Sequence, residues 1–214
     1  MTIEYKELRD TTGELFDQAM RLYLEAFPAN ERHPLAVIKS RIEAGDSKIY
    51  VGTLSGKVAC MALMWYFKKI NYVLLDYIAV GAEFRSLKIG SVFLEYLVKE
   101  GIADGRTMVF EVEHPAFGDN PAERKRRVAF YIKNGAYIID DFVYKLPPLD
   151  GKVPTEMMLM LYPAQAIDSY SPDDVRSIVV SLYNELYGRD ENDPLLLSFI
   201  NTIPATIKLA NNEA

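Results

Sequence analysis

Hydrophobic and polar positions change their period several times along this chain, and each change marks an element. Residues 3–8 alternate as a strand with one buried face does. The next stretch, up to Ala26, carries Leu15, Phe16, Ala19, Leu22 and Tyr23 at helical spacing, with Thr11 or Thr12 as the expected cap and Phe27-Pro28 as the break. Residues 35–44 predict a second helix that stops at Gly45. Residues 48–54 and 57–67 are rich in strand formers around a Ser55-Gly56 turn, and 70–80 follow as a third antiparallel strand. Helix, strand and helix are then expected over 88–103, 107–113 and 122–134. Gly101 and Gly105 mark the exit of the first helix, and 115–121 form the loop before the second. A strand over 137–144, a Pro147-Pro148 loop and a closing strand over 156–162 complete the pattern.

Beyond Pro163 the pattern turns helical. Ser171-Pro172-Asp173-Asp174 combines a cap, a proline at the first helical position and acidic residues in the first turn. Val175, Ile178, Val179, Leu182 and Leu186 make an apolar stripe that either packs on the chain's own domain or covers a homodimer interface. Gly188 can end that helix. A short apolar run over 195–200 precedes a polar tail expected to fray.

Composition narrows the function classes. Half of the 214 residues are hydrophobic, enough for a substantial core, yet no run of ~18 apolar residues suggests a membrane span. Five charged residues, Glu4, Lys6, Glu7, Arg9 and Asp10, stand in the first ten positions, where a signal peptide needs an apolar stretch, so a cytoplasmic location is expected. With 24 basic and 30 acidic residues the net charge is −6, which disfavours a nucleic-acid partner and is compatible with a cationic substrate. The single cysteine, Cys60, lies in an apolar run and reads as a buried structural thiol. Two scattered histidines and one cysteine offer no metal-ligand spacing.

The segment with the most chemistry joins the apolar strand ending Ile78-Ala79-Val80 to the helix that follows. Its loop reads Arg85-Ser86-Leu87-Lys88-Ile89-Gly90-Ser91. The first turn of a helix presents unpaired N–H groups and a partial positive charge, which suits a phosphate. The spacing resembles the acyl-CoA signature of the GNAT acetyltransferase superfamily, Gln/Arg-x-x-Gly-x-Gly/Ala. Arg85 and Gly90 fit it, and Lys88 stands where the family has its first glycine. Further on, Phe130-Tyr131-Ile132-Lys133-Asn134-Gly135-Ala136-Tyr137 resembles the Phe-Tyr-x-x-x-Gly-Phe segment that closes the next helix in the same superfamily.

The resemblance covers residues 1–162 and implies an α/β fold of the α+β type: a mixed, mostly antiparallel central sheet flanked by helices. Residues 163–214 would then form a helical C-terminal extension. It implies acetyl-CoA as acyl donor, with the pyrophosphate on the main chain of 85–91. The main-chain groups of Ile78 and Val80, flanking Ala79, would hold pantetheine, and the Val80 N–H would face the acetyl oxygen as an oxyanion donor. Tyr131 matches the tyrosine that often reprotonates the departing thiolate. Arg124 stands where the family often has a cofactor-contacting asparagine. The loop holding Glu31 and Arg32 matches the region that often builds the acceptor pocket.

From the residues alone, Glu111 and Glu113 share one face of a strand, as a proton acceptor for an amine or as a solvated pair. His114 beside them is either an alternative base or structural. The resulting expectation is an N-acetyltransferase acting on a primary amine, a small cationic one, by direct attack in a ternary complex. The alternative is a non-catalytic acyl-CoA sensor or interaction module of the same fold.

Overall fold

The computed structural model describes residues 3–85, 87–149 and 153–211. Chain contacts divide it into two compact units, Met1–Tyr66 with Leu74–Glu100, and Phe67–Val73 with Gly101–Ala214.

The first unit is built on strands β1 (Glu4–Leu8), β2 (Ser47–Leu54), β3 (Lys57–Tyr66) and the body of β4 (Tyr72–Val80), adjacent in that order. β1 pairs antiparallel with β2, and β2 with β3. Ser55 and Gly56 both take positive φ, 50° and 78°, which is the geometry of a two-residue hairpin turn matched to strand twist. Helix α1 (Glu14–Ala26) packs on β3, and α2 (Leu35–Glu43) on β2. Phe16, Ala19, Met20, Leu22 and Tyr23 of α1 meet Ile38, Ile49, Val51, Met61, Leu63, Tyr77 and Ala79 in one buried core.

The cap of α1 differs from expectation. Gly13 is the N-cap, at φ 95° and with no side-chain bond, while Thr12 turns back onto Asp10 and Thr11 donates to Glu43 Oε1 at 2.8 Å. The two threonine hydroxyls find other acceptors, and glycine takes the bend that a threonine resists.

Helix α3 (Ile89–Ala103) leads from the first unit into the second. There β5 (Thr107–Glu113) pairs with β8 (Thr155–Tyr162), which also pairs with β6 (Tyr137–Ile139) and β7 (Tyr144–Leu146), all antiparallel. The single strand expected over 137–144 is therefore two short ones, separated at Asp141, whose φ of 55° no continuous strand can hold. The tail does not fray throughout: β9 (Leu209–Ala210) pairs with β6. Arg106 knits the segment 67–72 to this unit, donating to the carbonyls of Phe67, Ile70 and Tyr72 at 3.1–3.3 Å.

Helix α4 (Pro121–Lys133) starts on its proline and stops at Gly135. With φ at 93°, and a Cβ there falling 2.9 Å from the Tyr162 ring, that position admits only glycine without rearrangement. Helix α5 (Pro172–Ser181) opens with a full capping box between Ser171 and Asp174. It continues into a π-helical turn over Leu182–Leu186, closed by Tyr187 N–H donating to the Leu182 carbonyl. The stripe Val175, Ile178, Val179, Leu182 and Leu186 is buried within the single chain. Helix α6 (Pro194–Phe199) delivers Phe199 against Tyr144 and Tyr183, with ring centroids 5.8 and 5.9 Å away. No helix is long and apolar enough to cross a membrane among the described residues.

Candidate active site

In the first unit, β4 ends at Val80, and Gly81 N–H donates to the Ala59 carbonyl, anchoring the strand end. A single 3₁₀ turn over Ala82–Phe84 carries the chain into the loop. Arg85, Leu87 and Lys88 are exposed, Ser86 lies outside the described residues, and Ile89 is buried as the first residue of α3. Lys88 sits at φ 58°, in the left-handed region. Its carbonyl accepts the Val92 N–H, so it turns the chain directly into the helix and leaves the N–H groups of Ile89, Gly90 and Ser91 at the open end. The position that departs from the family spacing thus adopts a left-handed backbone, which glycine takes without strain. Ile78 and Val80 are half-buried, while Ala79 between them points into the core.

The same unit holds the loop between α1 and α2. Tyr77 donates its hydroxyl to the Glu31 carbonyl and Tyr23 to that of His33, each at 3.1 Å. Phe27 and Tyr23 meet the Tyr77 ring edge-on at 4.8 and 4.9 Å. Arg32 folds back onto the end of α1, donating to the carbonyls of Leu24 at 2.6 Å and Phe27 at 3.1 Å, where a cation complements the helix dipole. On the loop itself, burial pushes His33 down to about 4, and the neighbouring Arg41 charge adds to this. Burial pushes Asp76 up to about 7, with Arg41 at 4.0 Å offsetting part of the shift.

In the second unit, Tyr131 on α4 lies against Phe110 of β5, ring centroids 4.7 Å apart. Burial raises its phenol to about 12, opposed by the Arg127 charge. It is therefore a protonated donor across the neutral range. Glu113 is held by Arg124 at 2.9 Å and by Arg127. Arg124 also donates to the carbonyls of His114 and Phe117, so its guanidinium lies along the 114–117 loop. His114 Nδ1 accepts the Ala116 N–H, and burial lowers its pKa.

Glu111 has a different neighbourhood. Its Oε2 accepts the Tyr187 hydroxyl at 2.7 Å. The Tyr144 phenol, fully enclosed, is raised well above its ordinary value, first by burial and then by the Glu111 charge. The two glutamates that share a strand thus serve different partners: arginines from α4 for Glu113, tyrosines for Glu111. Tyr187 and Tyr144 were not foreseen. The four-residue spacing of Tyr183 and Tyr187 brings two phenols close along the helical path, but nothing in it points to Glu111. No group of three metal-ligating side chains is gathered among the described residues.

No protein-family model and no curated protein matches the sequence. Solved structures do match its fold. A GNAT-family protein from Bacteroides thetaiotaomicron aligns over 86% of this chain and 98% of its own, with TM-score 0.71 and 21% identity. The chain has the GNAT fold. The ribosomal-protein-S18-alanine N-acetyltransferase of Escherichia coli aligns over 79% of this chain and 99% of its own, with TM-score 0.52 and 21% identity. An aminoglycoside 6'-N-acetyltransferase complexed with coenzyme A covers 78% of this chain and 98% of its own, with TM-score 0.57 and 18% identity. The fold is the mixed, mostly antiparallel sheet flanked by helices that the sequence resemblance implies.

Proposed function

We propose that this protein is an N-acetyltransferase that moves an acetyl group from acetyl-CoA to a primary amine. The observation that carries the reading is the loop before α3. Its left-handed Lys88 opens the helix so that the first-turn N–H groups face outward, the arrangement a pyrophosphate needs. Arg85, Leu87, Ile89, Gly90 and Ser91 complete that cradle, with Ser86 between them. The main chain of Ile78 and Val80 takes the pantetheine arm. Solved structures of the same fold include one complexed with coenzyme A.

The amine attacks the thioester carbonyl carbon, its proton passes to Glu111, the C–S bond breaks, and the thiolate takes a proton from Tyr131. A phenol held at about 12 is fully protonated when the thiolate departs. Direct attack fits the chain's only thiol: Cys60 is wholly buried and its pKa is pushed up to about 12, which makes it a poor nucleophile. Glu113 and Arg124 form an ion pair at the start of α4, and Arg124 is proposed to contact the cofactor after exchanging partners. Glu31 and Arg32 border the acceptor. Arg32 orders the loop through carbonyls, and the exposed Glu31 side chain suits a small cationic amine.

Thermal unfolding with acetyl-CoA, and with ADP-ribose as control, tests the reading. At 100 times Kd the ligand adds about 2.7 kcal/mol, a rise of roughly 5–10 °C for a chain of this length. A rise with acetyl-CoA alone, followed by coenzyme A release in a panel of amines, is the expected result. Stabilisation without release in any amine would make the protein an acyl-CoA binder, and no stabilisation would remove the cofactor assignment.

A further inference from the structure

The C-terminal helical segment reaches the strand proposed to carry the base. Tyr187 closes the π-helical turn that follows α5, and its hydroxyl donates to Glu111 Oε2 at 2.7 Å. A π turn inserts one extra residue into the helical path and changes the direction of every side chain beyond it. Tyr183, one turn earlier, donates to the Lys145 carbonyl at 2.6 Å, so the turn is pinned on the same side. Ionisable groups facing Glu111 include Tyr187, Tyr144 of β7 and Tyr183.

We propose that Tyr187 is a positioning residue that sets the orientation and protonation of Glu111, so that residues 163–214 supply part of the catalytic apparatus. The inference rests on the reading of Glu111 as proton acceptor. A hydrogen bond donated to a carboxylate favours its charged form, which is the form that accepts a proton. It also fixes which oxygen is engaged and how the carboxylate plane lies. An acid on a short strand has two rotatable bonds beyond Cβ to restrain, and a phenol from a well-packed helix end restrains them without adding charge.

The test compares Tyr187→Phe and Glu111→Gln in the full-length protein, with coenzyme A release followed over pH. Tyr187→Phe removes one oxygen and leaves the ring. It is expected to lower kcat about tenfold, leave KM for acetyl-CoA unchanged, and move the acidic limb of kcat/KM about one pH unit upward. Glu111→Gln is expected to lower kcat about 10³-fold. If Glu111→Gln loses turnover while Tyr187→Phe keeps both the wild-type rate and the wild-type limb, the positioning inference is wrong and the base assignment survives. If Glu111→Gln turns over at the wild-type rate, the base assignment itself is wrong, and the inference falls with it. A second measurement needs no acceptor: the carbon-13 carboxyl titration of Glu111 in wild type and Tyr187→Phe. A higher midpoint in the variant supports the inference, and coincident midpoints overturn it.

Discussion

Asp76 and Glu111 are both carboxylic acids on central strands, one in each unit, and they are met by different kinds of partner. Asp76 of β4 lies among Tyr23, Tyr77 and Trp65-stacked Arg41, with its nearest cationic nitrogen 4.0 Å away, and keeps its proton up to about pH 7. Glu111 of β5 receives a hydroxyl at 2.7 Å. A distant charge inside a protein compensates poorly for lost water, whereas a hydrogen bond aimed at the oxygen replaces part of what water supplied. The lesson is that burial alone makes an acid reluctant to ionise, and that a hydroxyl donated to a carboxylate oxygen favours its charged form.

The sharpest way to break this comparison is to exchange the expected losses. Glu111→Gln should cut kcat about 10³-fold, while Asp76→Asn should stay within about threefold. Steady-state kinetics showing the reverse would transfer the base to β4. Next in size, Tyr131→Phe should lower kcat about 10²-fold with acetyl-CoA affinity retained, because only the proton for the leaving thiolate is lost. Equilibrium cofactor binding beside turnover checks both halves of that statement.

Stability against pH probes the Asp76 side by itself. Its folded pKa of about 7 lies above the unfolded ~3.9, so the folded state holds the extra proton and stability falls as pH rises between those values. His33 has a folded pKa of about 4, below the unfolded ~6.5, so the unfolded state holds the extra proton and stability rises across that window. The two slopes, each at most about 1.4 kcal/mol per pH unit, oppose one another between roughly pH 4 and 6.5. Urea titrations should therefore show a nearly flat wild type over that range. Asp76→Asn should leave stability rising with pH, and His33→Asn should leave it falling. The smallest effect is expected at Lys88. Lys88→Val should cost about 1–2 kcal/mol because a β-branched residue resists left-handed backbone, and Lys88→Gly should change stability by less than about 1 kcal/mol. Urea midpoints of the two variants measure it.

Much of the fold was legible because it follows from local rules. The hairpin at Ser55-Gly56, the Gly135 stop and the Ser171 cap each depend on a few neighbouring residues. The errors arose where a distant partner or a single torsion decided the outcome. Thr11 gave its hydroxyl to Glu43 instead of to α1, Asp141 split a strand, and Leu209–Ala210 found an edge of β6. The candidate site divides in the same way. The main-chain cradle proposed for 85–91 is contiguous, so its candidate residues stand together along the chain. The surroundings of Glu111 depend on Tyr187, 76 residues away, and on a turn geometry that no local pattern announces.

The π turn at Leu182–Leu186 also has a genetic meaning. Its surplus residue is what brings Tyr187 round to Glu111, because each residue in a helix advances the bearing of the next by about 100°. Deleting one residue there would let α5 run on as an ordinary helix with Val175, Ile178 and Val179 still in place, while the phenol swung to another bearing. One codon therefore separates a chain that ties its last fifty residues to this carboxylate from one that uses the same residues as packing alone.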